Sequence, residues 1–151
     1  MAIDRGAGTE IIRTAMFNGI TNSAQTIIQG EAHHIYTVLS IIVTPISLAT
    51  AGNYIHAYVQ GYDSKAGTAA QTQHLFWHDM QAGSDNTFVW NDKFSFTGWE
   101  PADFASGGLT VAADQDKLAD QAGGNAQYLA IDTEGADNVD VFVTFIDQNN
   151  A

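Results

Sequence analysis

The chain has 151 residues, of which 45% are hydrophobic, and this length and composition suit one domain with its own core. Five basic residues against 17 acidic ones give a net charge of −12, which repels nucleic-acid phosphates and anionic membrane surfaces. The absence of cysteine excludes disulfides, thiolate nucleophiles and sulfur metal ligands. We therefore expect no nucleic-acid partner and no membrane partner.

The two halves of the sequence differ in charge, and the N-terminal residues do not resemble a signal peptide. Residues 1–75 hold three basic and four acidic residues, whereas residues 76–151 hold two basic and thirteen acidic ones. The first ten residues, MAIDRGAGTE, lack the charged-then-apolar pattern of a signal peptide, so we expect no export by the general secretory route. Residues 1–9 are predicted to form a flexible arm and residues 10–151 a single domain.

Apolar and β-branched runs, bounded by Gly, Asn, Asp and Ser clusters, predict short strands along most of the chain. Eight are predicted: Glu10–Met16, Gln25–Gln29, His34–Thr44, Tyr54–Tyr62, Gln73–His78, Thr87–Asn91, Gln127–Asp132 and Val139–Asp147. One short helix is predicted near residues 111–121, since acidic residues stand in its early turns and Gly123-Gly124 follows it. Many short strands with one late helix predict an all-β fold, a two-sheet antiparallel sandwich of the jelly-roll type.

Two predicted strands show which side chains should face the core. The last one alternates with period two, which assigns one face to the core: Val139, Val141, Val143 and Phe145. The stretch from His33 to Thr44 is apolar on both faces. Strict alternation gives its core face as Ile35, Leu39, Ile41 and Val43. It leaves Tyr36, Val38 and Ile42 on a second face that is too apolar for water, so we expect an arm, a loop or another subunit to cover them.

No enzyme motif or metal site emerges from the polar residues. His74 and His78 have the spacing of a helical metal pair, but in a strand that spacing separates them by roughly 13 Å. The acidic stretch from Asp132 to Asp140 could be a loose calcium loop or a plain polar hairpin. Serine-hydrolase, phosphate-loop and dinucleotide motifs are absent. We predict no catalytic residue, no metal ligand and no cofactor.

Aromatic residues are concentrated between Phe76 and Phe104. Exposed aromatic rings can stack on sugars, whereas the alternation of Phe88 with Trp90 and of Phe94 with Phe96 is typical of core strands. Trp99, between Gly98 and Glu100-Pro101, lies at a predicted turn. It is therefore the aromatic residue that we expect to make an exposed contact.

Three segments resemble strands of small structural proteins of tailed bacteriophages. HIYTVLSIIVTPISLATAGNYIHAYV, from His34 to Val59, resembles their pattern of an IYTV strand, a SIIVT strand, a polar turn and a further strand. TFVWNDKFSF, from Thr87 to Phe96, and DVFVTFIDQ, from Asp140 to Gln148, are similar to the sandwich strands of such virion proteins. Val38-Leu39-Ser40 replaces the loop that usually separates the first two strands, so one long or bulged strand is expected here.

The resemblance implies a non-enzymatic virion protein on the capsid surface, assembled in the host cytoplasm, and first of all a capsid decoration or cement protein. A tail, fibre or knob protein with a receptor- or carbohydrate-binding sandwich is the alternative. The implied partners are the major capsid protein or another virion protein, together with further copies of the chain, for which a trimer is the expectation. The predicted partner-binding residues are Ile3, Arg5, Ile11, Arg13, Tyr36, Val38, Ile42 and Trp99.

Overall fold

The computed structural model describes residues 8–49, 51–62, 70–80, 87–100 and 125–149, and all regular structure in these ranges is β. These ranges contain nine strands: β1 (Thr9–Ile20), β2 (Gln25–Gln29), β3 (His34–Ser47), β4 (Asn53–Tyr62), β5 (Ala70–Met80), β6 (Phe88–Trp90), β7 (Phe94–Thr97), β8 (Tyr128–Thr133) and β9 (Asn138–Asn149). The described ranges contain no helix that could cross a membrane. The predicted helix near residues 111–121, most of the predicted arm, and Ile3 and Arg5 lie outside these ranges.

The strands form two antiparallel sheets that pack face to face. Sheet I has the order β1-β9-β3-β6, with β7 also paired to β3, and sheet II has the order β2-β8-β4-β5. The chain thus pairs its strands from the outside inward, with β1 on β9, β2 on β8, β3 on β6 and β7, and β4 on β5. A long antiparallel ribbon folded over itself in this way is a jelly roll. The predicted antiparallel sandwich is confirmed.

All eight predicted strands are present, and the described ranges contain one further strand, β7, which is not among those eight. β7 has only four residues and follows β6 after the polar break Asn91-Asp92-Lys93. Both strands pair with β3, β6 with Ile41–Val43 and β7 with Ile35–Val38. They are therefore two parts of one interrupted edge of sheet I.

The core fills the space between the two sheets. Its buried members come from both inner faces and are mostly β-branched or aromatic, as in other packed sandwiches. The largest fully buried apolar side chains are Tyr36, Ile41, Ile55, Met80, Leu129, Ile131, Val38, Val43, Val139 and Val143. The predicted inward face of β9, from Val139 to Phe145, is confirmed.

The prediction for β3 was half wrong because the strand contains a β-bulge. Val38 pairs with Phe145 and Ser40 pairs with Thr144, so Leu39 is an extra residue without a partner position on β9. A bulge of one residue reverses the alternation of the side chains that follow it. Tyr36 and Val38 are therefore core residues, 1% and 0% exposed, and are not available to a partner.

Beyond the bulge the prediction holds. Ile41 and Val43 are buried in the core as expected, and Ile42 lies on the outer face. Ile35 and Leu39, which were assigned to the core, are only partly buried. The expectation of one long or bulged strand over this segment is confirmed.

Candidate functional site

The outer face of sheet I carries a row of large apolar side chains that crosses four strands. In the antiparallel register Met16 lies opposite Phe142, Phe142 lies opposite Ile42, and Ile42 lies opposite Val89. Directly opposite side chains in such a sheet stand roughly 5 Å apart, so the four form one continuous strip. Met16 is 72% exposed and Val89 is 50% exposed. We call Met16, Phe142, Ile42 and Val89 the apolar row.

A second apolar pair lies on the same face, parallel to the apolar row. Ile12 is 70% exposed and stands opposite Ile146. Between this pair and the apolar row lies a line of hydroxyl side chains, in which Thr14 is opposite Thr144 and Thr144 is opposite Ser40. The face is therefore apolar with small neutral polar groups.

Charge is nearly absent from this face. Among the outward positions of β1, β9 and β3, only Glu10 and Asp140 carry a charge, and they lie toward opposite ends of the strands. The Asp140 Oδ1 atom also accepts a hydrogen bond from the Gly19 amide over 2.8 Å. Depletion of charged residues distinguishes the centre of a protein interface from the rest of the surface. In a chain of net charge −12, this face has the composition of such a centre.

A shallow depression of about 160 Å³ lies over one end of the apolar row. It is lined by Met16, Asn18, Ile42, Thr44, Asp140, Val141 and Phe142. The depression is small compared with ligand pockets, which usually measure about 300–1,000 Å³. It suits a single side chain of a partner better than a whole small molecule.

Of the partner-binding residues predicted on β1, Ile11 and Arg13 point away from the apolar row. Ile11 stands opposite Asp147 and Arg13 opposite Phe145, so both lie on the inner side of β1 at the edge of the core. The Arg13 guanidinium lies over the Phe145 ring, 5.6 Å from its centroid. Its Nη1 atom donates a hydrogen bond to Asp147 Oδ2 over 3.0 Å. Arg13 is thus already paired within the chain.

Trp99 is held in place by its backbone. It is half-buried, forms a bridge with Ala126 and accepts a hydrogen bond from the Thr97 hydroxyl at its carbonyl oxygen. A Cβ atom at Gly98 would collide with the Glu31 backbone, so the chain passes close to its neighbour here. The most exposed tryptophan is a different one, Trp77, at 54%.

Trp77 belongs to a group of rings on the outer face of sheet II. We call this group the aromatic cluster, and its members are Tyr54, His56, Tyr58, His74 and Trp77. The His56 ring stacks on Trp77 with 4.6 Å between centroids and an interplanar angle of 16°. His74 lies 5.0 Å and Tyr54 5.7 Å from the same indole. His74 also contacts His56 and Tyr58, each at 5.9 Å.

A second bulge brings His74 to this face. Ala57 pairs with Phe76 and Tyr58 pairs with His74, so Leu75 is an extra residue in β5. Without the extra residue, His74 and Trp77 would point to opposite sides of the sheet. His78 lies on the inner side, where its ring stacks on Phe88 at 4.6 Å. His74 and His78 therefore point to opposite faces.

Asp132 is the acidic neighbour of the aromatic cluster. Its Oδ1 atom lies 2.8 Å from His56 Nδ1, yet neither atom makes a hydrogen bond of good geometry. Burial raises the pKa of Asp132 above its usual 3.8, while the nearby His56 and His74 lower it. About a fifth of the side chain remains exposed. A carboxylate beside stacked rings can accept hydrogen bonds from a ligand's hydroxyl groups.

The carboxylates of the acidic stretch from Asp132 to Asp140 contact groups elsewhere in the chain, at three separate places. Asp137 is fully buried, and its two oxygens accept hydrogen bonds from the Ala49 amide and from Asn53 Nδ2. Asp140 bonds the Gly19 amide instead, and Asp132 faces His56. Within the described ranges no three His, Asp or Glu side chains are close enough to hold a metal ion.

The sequence offered a partial signal for the aromatic cluster. Tyr54, His56 and Tyr58 alternate and so share one face of β4. The contribution of β5 was hidden, because His74 and Trp77 have opposite parity in the sequence and meet only through the bulge at Leu75. For this reason the sequence pattern did not single out Trp77 as a site residue.

No protein-family model matches this chain, and no curated protein sequence matches it significantly.

Proposed function

We propose that the protein is a non-enzymatic structural component of a virion, and that it is a capsid decoration protein which binds the shell through the outer face of sheet I. The observation that carries the proposal is the apolar row, a continuous strip of outward-facing side chains across β1, β9, β3 and β6, exposed at both ends and partly exposed between them. A folded chain gains free energy by removing such a strip from water, since burial is worth about 25 cal/mol per Å².

Three further features support the same proposal. The jelly-roll order of the strands occurs in viral capsid domains, and it also occurs in lectins and some enzymes. The three segments described above resemble strands of phage virion proteins. The proposed surface includes β1, from the less acidic half of the sequence.

The occupant that we propose for this face is the major capsid protein, or another virion protein in the same shell. A modest affinity per copy is sufficient when linked copies attach at symmetric positions. Binding of one copy raises the effective concentration of the others at their own sites. A trimer of the chain at local three-fold positions is part of the proposal. A tail, fibre or knob position is the alternative.

The first test asks whether a major capsid protein is encoded beside the gene, and the second is co-sedimentation with capsids assembled from that protein. Met16→Glu places a charge in the apolar row and is expected to weaken binding at least tenfold, because a desolvated charge opposes burial. Gln71→Glu, at an exposed position of sheet II, adds the same charge and should leave binding unchanged.

Light scattering on the free protein measures its oligomeric state in the same series. A trimer that Met16→Glu converts to monomers, with capsid binding kept, would assign the apolar row to self-association and overturn its assignment to the shell. A wild-type protein that binds no capsid would overturn the decoration role.

A further inference from the structure

The aromatic cluster on sheet II lies on the opposite side of the sandwich from the apolar row, so a shell-bound protein would keep it free. All three tryptophans of the chain lie in the described ranges, and only Trp77 is exposed. Large exposed rings on a flat sheet are costly in water and usually mark a contact. We therefore expect the aromatic cluster to bind a ligand.

More than half of the Trp77 side chain is exposed, although three rings of the aromatic cluster contact its indole. His56 stacks on one side of Trp77 and covers it. β5 is the outermost strand of sheet II in the described part of the chain, and 54% of the Trp77 side chain is exposed. The exposed part of the indole thus lies at the edge strand of the sheet, where a flat ligand can pack on it.

Polar groups beside the ring indicate the chemistry of that ligand. Asp132 Oδ1 and His56 Nδ1 are buried and lie 2.8 Å from each other, while about a fifth of the Asp132 side chain remains exposed beside the indole and can reach a ligand. A ligand with a ring of C–H groups and with hydroxyls around its rim matches both the indole and the carboxylate. Its C–H face packs on Trp77, and its hydroxyls donate hydrogen bonds to Asp132. This is the chemistry of a pyranose sugar.

Charge restricts the sugar to neutral ones. The chain carries a net charge of −12, and three acidic side chains lie around the cluster. Asp79 is opposite Tyr54 in the register, Glu134 Oε2 lies 3.4 Å from the Tyr54 amide nitrogen, and Asp132 lies against His56. Carboxylated or sulfated sugars would be repelled. Nucleotides, whose bases also stack on aromatic rings, carry phosphates and are repelled in the same way.

We infer that the aromatic cluster is a binding site for neutral pyranose sugars, with Trp77 as the stacking platform and Asp132 as the hydroxyl acceptor. Such a site would attach the protein, or the particle that carries it, to a neutral polysaccharide. It is separate from the proposed docking face, which lies on the other sheet.

The test uses the full-length protein on an array of neutral and anionic glycans, followed by saturation-transfer NMR with methyl β-D-glucopyranoside and methyl β-D-galactopyranoside. Neutral pyranosides should bind, with transfer from the protein to the C–H face of the sugar. Trp77→Ala should weaken binding at least about tenfold, in line with the loss of one stacking contact. Trp77→Phe should retain part of the affinity, and Asp132→Asn should weaken it.

Controls separate this site from the fold and from the docking face. Trp77 is exposed, so its variants should melt within a few degrees of the wild type. Met16→Glu should leave sugar binding unchanged, and Trp77→Ala should leave capsid binding unchanged. No binding of any neutral sugar at millimolar concentration would overturn the inference, and so would binding that survives Trp77→Ala or a preference for anionic glycans.

Discussion

Arg13 on β1 reaches over the edge of the core and donates a hydrogen bond of 3.0 Å to Asp147, a carboxylate on β9 that is 1% exposed. The other oxygen of Asp147 lies 2.6 Å from His34 Nδ1 on β3. One buried carboxylate therefore links three neighbouring strands of sheet I. A buried acid is tolerated only when it is paired and hydrogen-bonded, which gives Arg13 a role in the fold.

Replacing Arg13 by Met keeps the apolar stem but removes the guanidinium. We expect a loss of about 1–2 kcal/mol in the free energy of unfolding, because a buried carboxylate loses a charged donor while the pair itself is half exposed. Chemical denaturation of Arg13→Met, Asp147→Asn and the double variant measures the coupling. The double variant should be less destabilised than the sum of the single variants, and strictly additive losses would contradict the pairing.

The bulge at Leu39 leads to a prediction about deletions in β3. Removing Leu39 leaves Val38 inward, Ser40 outward and Ile41 inward, which is the alternation the core requires. This deletion should cost about 1 kcal/mol or less, since it removes an unpaired residue. Thermal unfolding of the deletion variant provides the measurement.

Deletion of Ile42 is the matched comparison. Without it, either Val43 turns outward or Ser40 replaces Ile41 in the core. Each outcome loses a large buried side chain, so we expect a cost above about 4 kcal/mol or a chain that does not fold. Equal melting temperatures for the two deletions would show that the bulge is not where the register places it.

Tyr36 predicts a decline in stability at alkaline pH. Burial, followed by the charges of Asp147 and Glu31, raises its pKa from 10.0 to about 12. The unfolded chain loses this proton near pH 10 while the folded chain keeps it. The free energy of unfolding should therefore fall by about 1.4 kcal/mol per pH unit between pH 10 and 12 from this group alone. Urea unfolding of Tyr36→Phe should lack this part of the decline, and an identical slope would contradict it.

The pKa of Asp132, in the acid range of pH, should change when a neighbouring histidine is replaced. Its pKa is raised by burial and pulled down by His56 and His74, so His56→Gln should raise the pKa further. Carboxyl ¹³C NMR titration measures this directly. His33→Gln serves as the control, because His33 is not among the groups that act on Asp132. A lower pKa of Asp132 in His56→Gln would overturn the arrangement.

The same raised pKa has a consequence for stability. A carboxyl whose pKa is higher in the folded chain than in the unfolded one contributes most to the free energy of unfolding below the unfolded pKa of 3.8. That contribution is lost as the pH rises through the folded pKa. Asp132→Asn should remove this acid-range dependence. A comparison of its unfolding curves with those of the wild type between pH 3 and 6 tests the sign.

Sequence patterns were sufficient for eight of the nine strands in the described ranges and for the class of fold. Alternation from Val139 to Phe145, and the run from Gln25 to Gln29, follow from which side chains must leave water. Of the residues predicted to bind a partner, Ile42 does lie on an exposed face. Tyr36 and Val38 were misplaced because alternation was continued through Leu39.

What the sequence alone determined is local: period-two hydrophobicity, the turn residues between strands, and an acidic, cysteine-free composition that disfavours nucleic-acid partners and excludes disulfides. What only the tertiary structure decided is register. Bulges at Leu39 and Leu75 depend on pairing with β9 and β4, strands distant in sequence, and each reverses the faces of the residues beyond it. The apolar row and the aromatic cluster exist only once that pairing is fixed, because their members come from strands that meet through long-range hydrogen bonds.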